Sequence, residues 1–333
     1  MIKRIKWIDT LRGIGMFFVI FGHAFVNKKN IIRKYIYSFH MPLFFFISGL
    51  TTKRSDIKVL PFIKKKMKSL LLPYLFINVF VLLFKYITSF LFDLYKNIDL
   101  IGGIEFFFKG YSNKLPCIQS WFLLCLFIIE IMFYLLTRVF KDDIKLSISI
   151  VLIFILGILY SRSNYTFLVY FHLDTSLIGL LFYHLGYLFM KHIKVFEKFI
   201  TSYYSIILVI ILLMGGYILQ DNNIKISMNA NHYGNVLIFL SSTIFTIFSI
   251  IIFVNTVLNK SKFFSGVGVN SIFFLGYHGF VLALFKKYIS FSLSNDIMTF
   301  VTSIVTLLVM YPFAILTMKK FPILVGKIKK WRR

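Results

Sequence analysis

Acidic residues are scarce in this chain, with 12 Asp and Glu against 38 Lys and Arg over 333 residues. Charged residues of either sign make up only 15%. A soluble chain of this length needs far more polar surface, so that class is excluded. Cysteine is nearly missing: Cys117 and Cys125 are too few for a disulfide framework and say nothing of redox compartment. The seven histidines are scattered singly, without metal-ligand spacing, so no metal is expected. No A-x-A-like cleavage site follows the first 27 residues, and Arg12 and His23 interrupt their apolar run. That segment therefore reads as a retained helix and not as a secretory leader. The net charge of +26 does not point to nucleic acid. The basic residues fall between apolar runs and at the two ends, as cytoplasmic loops facing anionic headgroups do.

Apolar sequence supplies the rest: 59% of residues are hydrophobic and the mean hydropathy is +0.82. The pattern predicts an all-α polytopic membrane protein of about ten transmembrane helices, built as a single domain over 1–333. The expected spans are 8–27, 35–51, 70–92, 120–138, 146–160, 174–190, 203–219, 234–257, 270–288 and 297–318. A basic segment at 53–68, a long polar loop at 93–119 and a basic tail at 319–333 lie between or beyond them. The lysines and arginines favour a cytoplasmic N-terminus, and an even number of spans returns the C-terminus to the same side. One loop dissents, because Lys28, Lys29, Arg33 and Lys34 would then face outward.

The first span carries Asp9, Arg12 and His23. Arg12 and His23 are eleven residues apart, so they share one helix face about 16 Å apart along the axis. Asp9 falls within about 40° of the same line. Gly15 and Gly22 flatten the neighbouring surface for a second helix. Polar residues on a spanning helix are expensive and face a partner or a water-filled path. Two readings fit this stripe: a functional seam, or an Asp9–Arg12 anchor with one packing histidine.

In the second span, Pro42 predicts a broken or late-starting helix. The short outer loop between the first two spans places His40 near the depth of His23, as a candidate proton-transfer pair. The alternative is that His40 bonds a carbonyl freed by Pro42. The lysines 64, 65, 66 and 68 suit either a lipid-facing anchor or a site for a phosphorylated cytosolic ligand such as coenzyme A. Glu130, near the bilayer midplane, needs a partner: Arg12, Lys85 or a histidine is expected. Trp121 reads as a belt residue or a sugar-site wall. His278 reads as a site wall, with packing rather than chemistry as its expected part. His172 and His232 are expected to be solvated, and His192 to meet headgroups.

Trp7-Ile8-Asp9-Thr10-Leu11-Arg12-Gly13 with His23 resembles the R-x10-H first-helix signature of integral-membrane acyltransferase family 3. Phe39-His40-Met41-Pro42-Leu43-Phe44-Phe45-Phe46-Ile47-Ser48-Gly49 is similar to its second-helix motif, in the branch of fucose 4-O-acetylases. Leu72-Pro73-Tyr74, Trp121-Phe122-Leu123 with Glu130, Leu185-Gly186-Tyr187 and Asn270-Ser271 with His278 continue the likeness in order. Lys65-Lys66-Met67-Lys68 stands where the family often has an R-x-x-R pair, giving point charges in place of a bidentate fork.

The resemblance implies O-acyl transfer from acetyl-CoA, a co-substrate and not a resident cofactor, to a hydroxyl of an extracytoplasmic or lipid-linked glycan. The implied setting is a bacterial cytoplasmic membrane, with lipids as neighbours and the oligomeric state undetermined. His23 is then the general base or a transient acyl carrier. Arg12 positions the thioester or donor phosphates beside Lys65, Lys66 and Lys68. Asp9 or Glu130 shapes the polar path. His40 orients His23 or binds acceptor hydroxyls, with Ser48, Trp121 and His278 on the substrate side. A glycan or lipid transporter, a non-catalytic sensor on the same scaffold, and succinyl as the acyl group stay open.

Overall fold

Among the described residues each of the ten apolar runs folds as a helix, and four shorter helices join them. The computed structural model describes residues 5–91, 100–110, 115–163, 167–200, 204–224, 226–288 and 295–326. Parts of the 93–119 loop, the end of the third expected span and the far part of the basic tail lie outside the described residues. The helices are α1 (Lys6–Ala24), α2 (Ile31–Leu50), α3 (Val59–Lys66), α4 (Leu72–Leu91), α5 (Leu100–Lys109), α6 (Trp121–Val139) and α7 (Asp143–Ser161), followed by α8 (Leu173–Lys191), α9 (Ile193–Ile200), α10 (Ser205–Asp221), α11 (Val236–Thr256), α12 (Lys262–Val269), α13 (Ser271–Tyr288) and α14 (Asp296–Lys320). A π-helical turn, Met67–Leu71, joins α3 to α4. Among the described residues the only extended pairing is an isolated bridge between Ser227 and His232.

Among the described residues, six segments are long and apolar enough to cross a bilayer, and a seventh counts if α12 and the stretch Ser271–Lys287, bent by 90°, form one span. α1 and α2 have the length, at 19 and 20 residues, but carry Asp9, Arg12 and His23, and Arg33, Lys34 and His40. α10 has 17 residues. Along α7, Ile144, Ile148, Leu152, Ile155, Leu156 and Leu159 are exposed in a stripe, the face that lipid has to cover.

The chain gathers into two compact units. The first comprises residues 1–53, 182–274 and 278–313. Within it α1 packs on α2, α11 and α12, and α10 packs on α11. Close approach of α1 to α12 needs glycine on both sides. A Cβ on Gly268 would stand 1.8 Å from the Asp9 carbonyl oxygen, and one on Gly13 would stand 2.0 Å from that of Phe264. Gly15 and Gly22 lie against Leu43, Phe44, Ile36 and Tyr37, so they face α2, as their spacing predicts.

Local signals place the helix starts. The Asn30 side chain accepts from the Arg33 amide and caps α2; Asn235 caps α11 and Ser261 caps α12 in the same way. α2 corrects an expectation, because it starts at Ile31 and runs unbroken through Pro42. The proline frees the Ser38 carbonyl four residues back, and Thr243 Oγ1 on α11 donates to it over 3.0 Å. His40 is not the group that satisfies it.

The second unit comprises residues 54–181, 275–277 and 314–333, as far as these are described. α3 and the π turn pack beside α6, and α4 packs on the π turn. Asn78 joins α4 to the start of α6, donating to Ser120 Oγ at 2.8 Å and accepting from the Cys117 amide at 3.1 Å. Lys85 is tied to the Pro116 carbonyl at 2.8 Å. Arg54 and Asp143 form an ion pair of 2.7 Å.

Candidate active site

In the first unit, α1, α2 and α13 each contribute one imidazole to a common cluster. His23 lies near the C-terminus of α1, with its ring centre 6.5 Å from that of His40 and 5.3 Å from that of His278. Tyr37 fills the angle between the first two, 5.8 Å from His23 and 5.0 Å from His40. His40 and His278 are buried, and His23 is half-buried.

Two of the three rings have fixed roles for their nitrogens. His40 Nδ1 lies 2.8 Å from the Ile36 carbonyl and His278 Nδ1 lies 2.7 Å from the Phe274 carbonyl, each four residues back. A carbonyl oxygen only accepts, so Nδ1 carries the proton in both rings, and a neutral ring keeps its lone pair on Nε2. Among the described residues, the His23 ring has neighbours by stacking but no hydrogen bond from a protein group. Its nitrogens are therefore not committed to a protein partner.

α2 starts four residues earlier than its apolar pattern suggests, so His40 sits nine residues in, about 14 Å from the helix start. That is deeper than the sequence reading places it, yet His40 still meets His23 because α1 and α2 cross there.

Arg12 lies at the other end of α1, half-buried, with Nη1 3.3 Å from Asp9 Oδ1. α1 is continuous from Lys6 to Ala24, so the eleven-residue spacing keeps Arg12 and His23 in phase about 16 Å apart. Ser48 donates to the Phe44 carbonyl of its own helix at 2.9 Å.

The remaining expected site residues belong to the second unit. Glu130, 9% exposed on α6, pairs with Lys66 at the end of α3, Nζ to Oε2 2.9 Å. This corrects the expected partners Arg12, Lys85 and histidine. Lys66 also lies over the Phe62 ring, which stacks on Tyr134 with centres 4.0 Å apart. Lys64, Lys65 and Lys68 are exposed, so the lysine loop keeps three ammonium groups at its surface and turns the fourth onto Glu130.

Trp121 is buried at the first residue of α6 and meets His172 with ring centres 5.0 Å apart. His172 is not solvated but 1% exposed. Its burial follows from a tight turn in which Phe171 and His172 take left-handed φ of 56° and 58°. His232 and His192 are exposed. His184 is buried in α8 and stacks with Tyr187. No group of three or more His, Cys, Asp or Glu among the described residues could hold a metal ion.

An apolar cavity of about 400 Å³ lies between α8, α9 and α11, walled by Phe46, Phe189, Phe196 and Phe248. None of the expected site residues lines it.

Three members of the cluster escape the sequence reading: Arg33, Tyr37 and Lys286. Arg33, Tyr37 and His40 follow an i, i+4, i+7 pattern that puts them on one face of α2, so two of the three are visible in the spacing. Lys286 is not, because its place depends on how α13 meets α1. It donates to the His23 carbonyl at 2.7 Å.

No curated protein and no solved structure matches the chain. The family model described as an acyltransferase domain, Acyl_transf_3, matches residues 5–319. That match takes in all three helices of the histidine cluster and the Glu130–Lys66 pair, and the chain belongs to the acyltransferase 3 family.

Proposed function

We propose that this protein is a membrane O-acyltransferase that moves a short acyl group, acetyl first among them, from cytosolic acyl-CoA to a hydroxyl of an extracytoplasmic or lipid-linked glycan. The observation that supports this reading is the imidazole of His23, uncommitted to any protein hydrogen bond and flanked by two rings whose Nε2 atoms can accept.

His23 takes the proton of the acceptor hydroxyl as its oxygen attacks the thioester carbonyl. The C–O bond forms and the C–S bond breaks, and the imidazolium returns the proton to the departing thiolate. His40 and His278 hold the acceptor hydroxyls or the His23 ring through Nε2. Arg12, with the cytoplasmic end of α1, meets the donor, and Asp9 fixes its guanidinium. Lys64, Lys65 and Lys68 attract the phosphates of coenzyme A, while Glu130 holds Lys66 and thereby anchors the loop.

The distinguishing experiment places acetyl-labelled coenzyme A on one side of proteoliposomes and a glycan on the other. Label recovered in ester linkage on the glycan supports transfer. Movement of glycan without acyl-CoA would make the protein a transporter.

A further inference from the structure

The histidine cluster is rimmed by cations that lack carboxylate partners among the described residues. Arg33, in the first turn of α2, is only 9% exposed. Its guanidinium lies 4.1 Å from the centre of the Tyr37 ring and donates to the Lys28 carbonyl at 3.3 Å. Tyr37 in turn touches both His23 and His40. Lys286 spends one proton on the His23 carbonyl and has two left. Lys28 and Arg33 lie close enough to Lys286 to repel its ammonium.

The nearby carboxylate, Asp296, is held by Asn30 Nδ2 at 2.7 Å, and among the described residues neither Arg33 nor Lys286 reaches a carboxylate. Removing a guanidinium from water without a counter-charge is costly, and three cations around one mouth add mutual repulsion. A bound anion relieves both. A guanidinium fork with donors to spare suits the paired oxygens of a phosphate or carboxylate. This same loop dissents from the charge asymmetry along the chain, so lipid-facing topology gives no reason for its basic residues.

We propose that Arg33 and Lys286 form an anion subsite beside His23, so that the acceptor is a glycan bearing a phosphate or carboxylate close to the hydroxyl that is acylated. This rests on the acyl-transfer reading for the word acceptor; the subsite itself does not. The same chemistry would fit a phosphate of coenzyme A, and the test separates the two.

The full-length protein in detergent is titrated calorimetrically with glucose, glucose 6-phosphate, glucuronate and 3′,5′-ADP. Glucose 6-phosphate or glucuronate is expected to bind at concentrations where glucose does not. Arg33→Gln and Lys286→Gln are each expected to weaken that binding at least about tenfold, the size of one lost charge-assisted hydrogen bond. Arg33→Lys is expected to retain more of it than Arg33→Gln, and 3′,5′-ADP should bind equally to all variants. If Arg33→Gln does not fold, Lys286→Gln carries the test.

Anions that bind no better than glucose would overturn the subsite, as would unaltered affinity in folded variants. A loss of 3′,5′-ADP affinity would assign the cations to the donor and also overturn the proposal. Anion binding without any acetyl transfer would sink the acyltransferase reading and leave the subsite standing.

Discussion

His278 on α13 meets His23 on α1 edge to face, with ring centres 5.3 Å apart and planes inclined by 64°. With Nδ1 committed to the Phe274 carbonyl, His278 presents a fixed ring to the one imidazole of the cluster that has no such tie. His278→Ala is therefore expected to lower kcat about 10–100-fold, the size seen when a group that orients a functional residue is removed. The KM for acetyl-CoA should change little. Steady-state kinetics with each substrate varied in turn checks the split.

The crossing of α1 and α12 sets where Asp9 and Arg12 lie. Gly268→Ala would put a Cβ 1.8 Å from the Asp9 carbonyl oxygen, so one helix has to move. A loss of about 1–3 kcal/mol is expected from such overpacking. Thermal unfolding in detergent measures it, and Ala at an exposed α12 position such as Lys262 serves as the control.

Lys66→Met leaves the Glu130 carboxylate buried without its cation. The expected cost is about 3–5 kcal/mol, and replacing Glu130 by Leu in the same chain should recover most of it. A double-mutant cycle on unfolding free energies reads the coupling.

How much of this was visible in the sequence depends on the distance over which each contact is made. The ten apolar runs announce their helices, and the R-x10-H spacing survives because α1 has no break. Pro42 misleads, since its effect is cancelled by Thr243, a residue on another helix. Glu130 calls for a cation, but identifying it as Lys66 takes a turn through α3 onto α6, which no local pattern encodes. Segment 262–269 reads as loop because it is short. Its role is to bend by 90° from the next helix and lie against α1 through paired glycines.

Cys117 sits in the turn before α6, where burial pushes its thiol up to about 11. At pH 8 about one molecule in a thousand then carries the thiolate, and the fraction rises about tenfold for each pH unit up to the pKa. Alkylation of Cys117 by iodoacetamide should be slow at pH 8 and follow that slope, whereas a free exposed thiol levels off near pH 9. Mass spectrometry of the Cys117 peptide over pH 7–10 measures the slope.

The account turns on the imidazole of His23. Acetyl transfer from labelled acetyl-CoA to glycan by purified protein, compared with His23→Ala of equal thermal stability, tests it most directly. The expected result is a fall in kcat of about a thousandfold or more, as loss of a general base brings, with acetyl-CoA still bound. Transfer at an undiminished rate by the folded His23→Ala protein would contradict it.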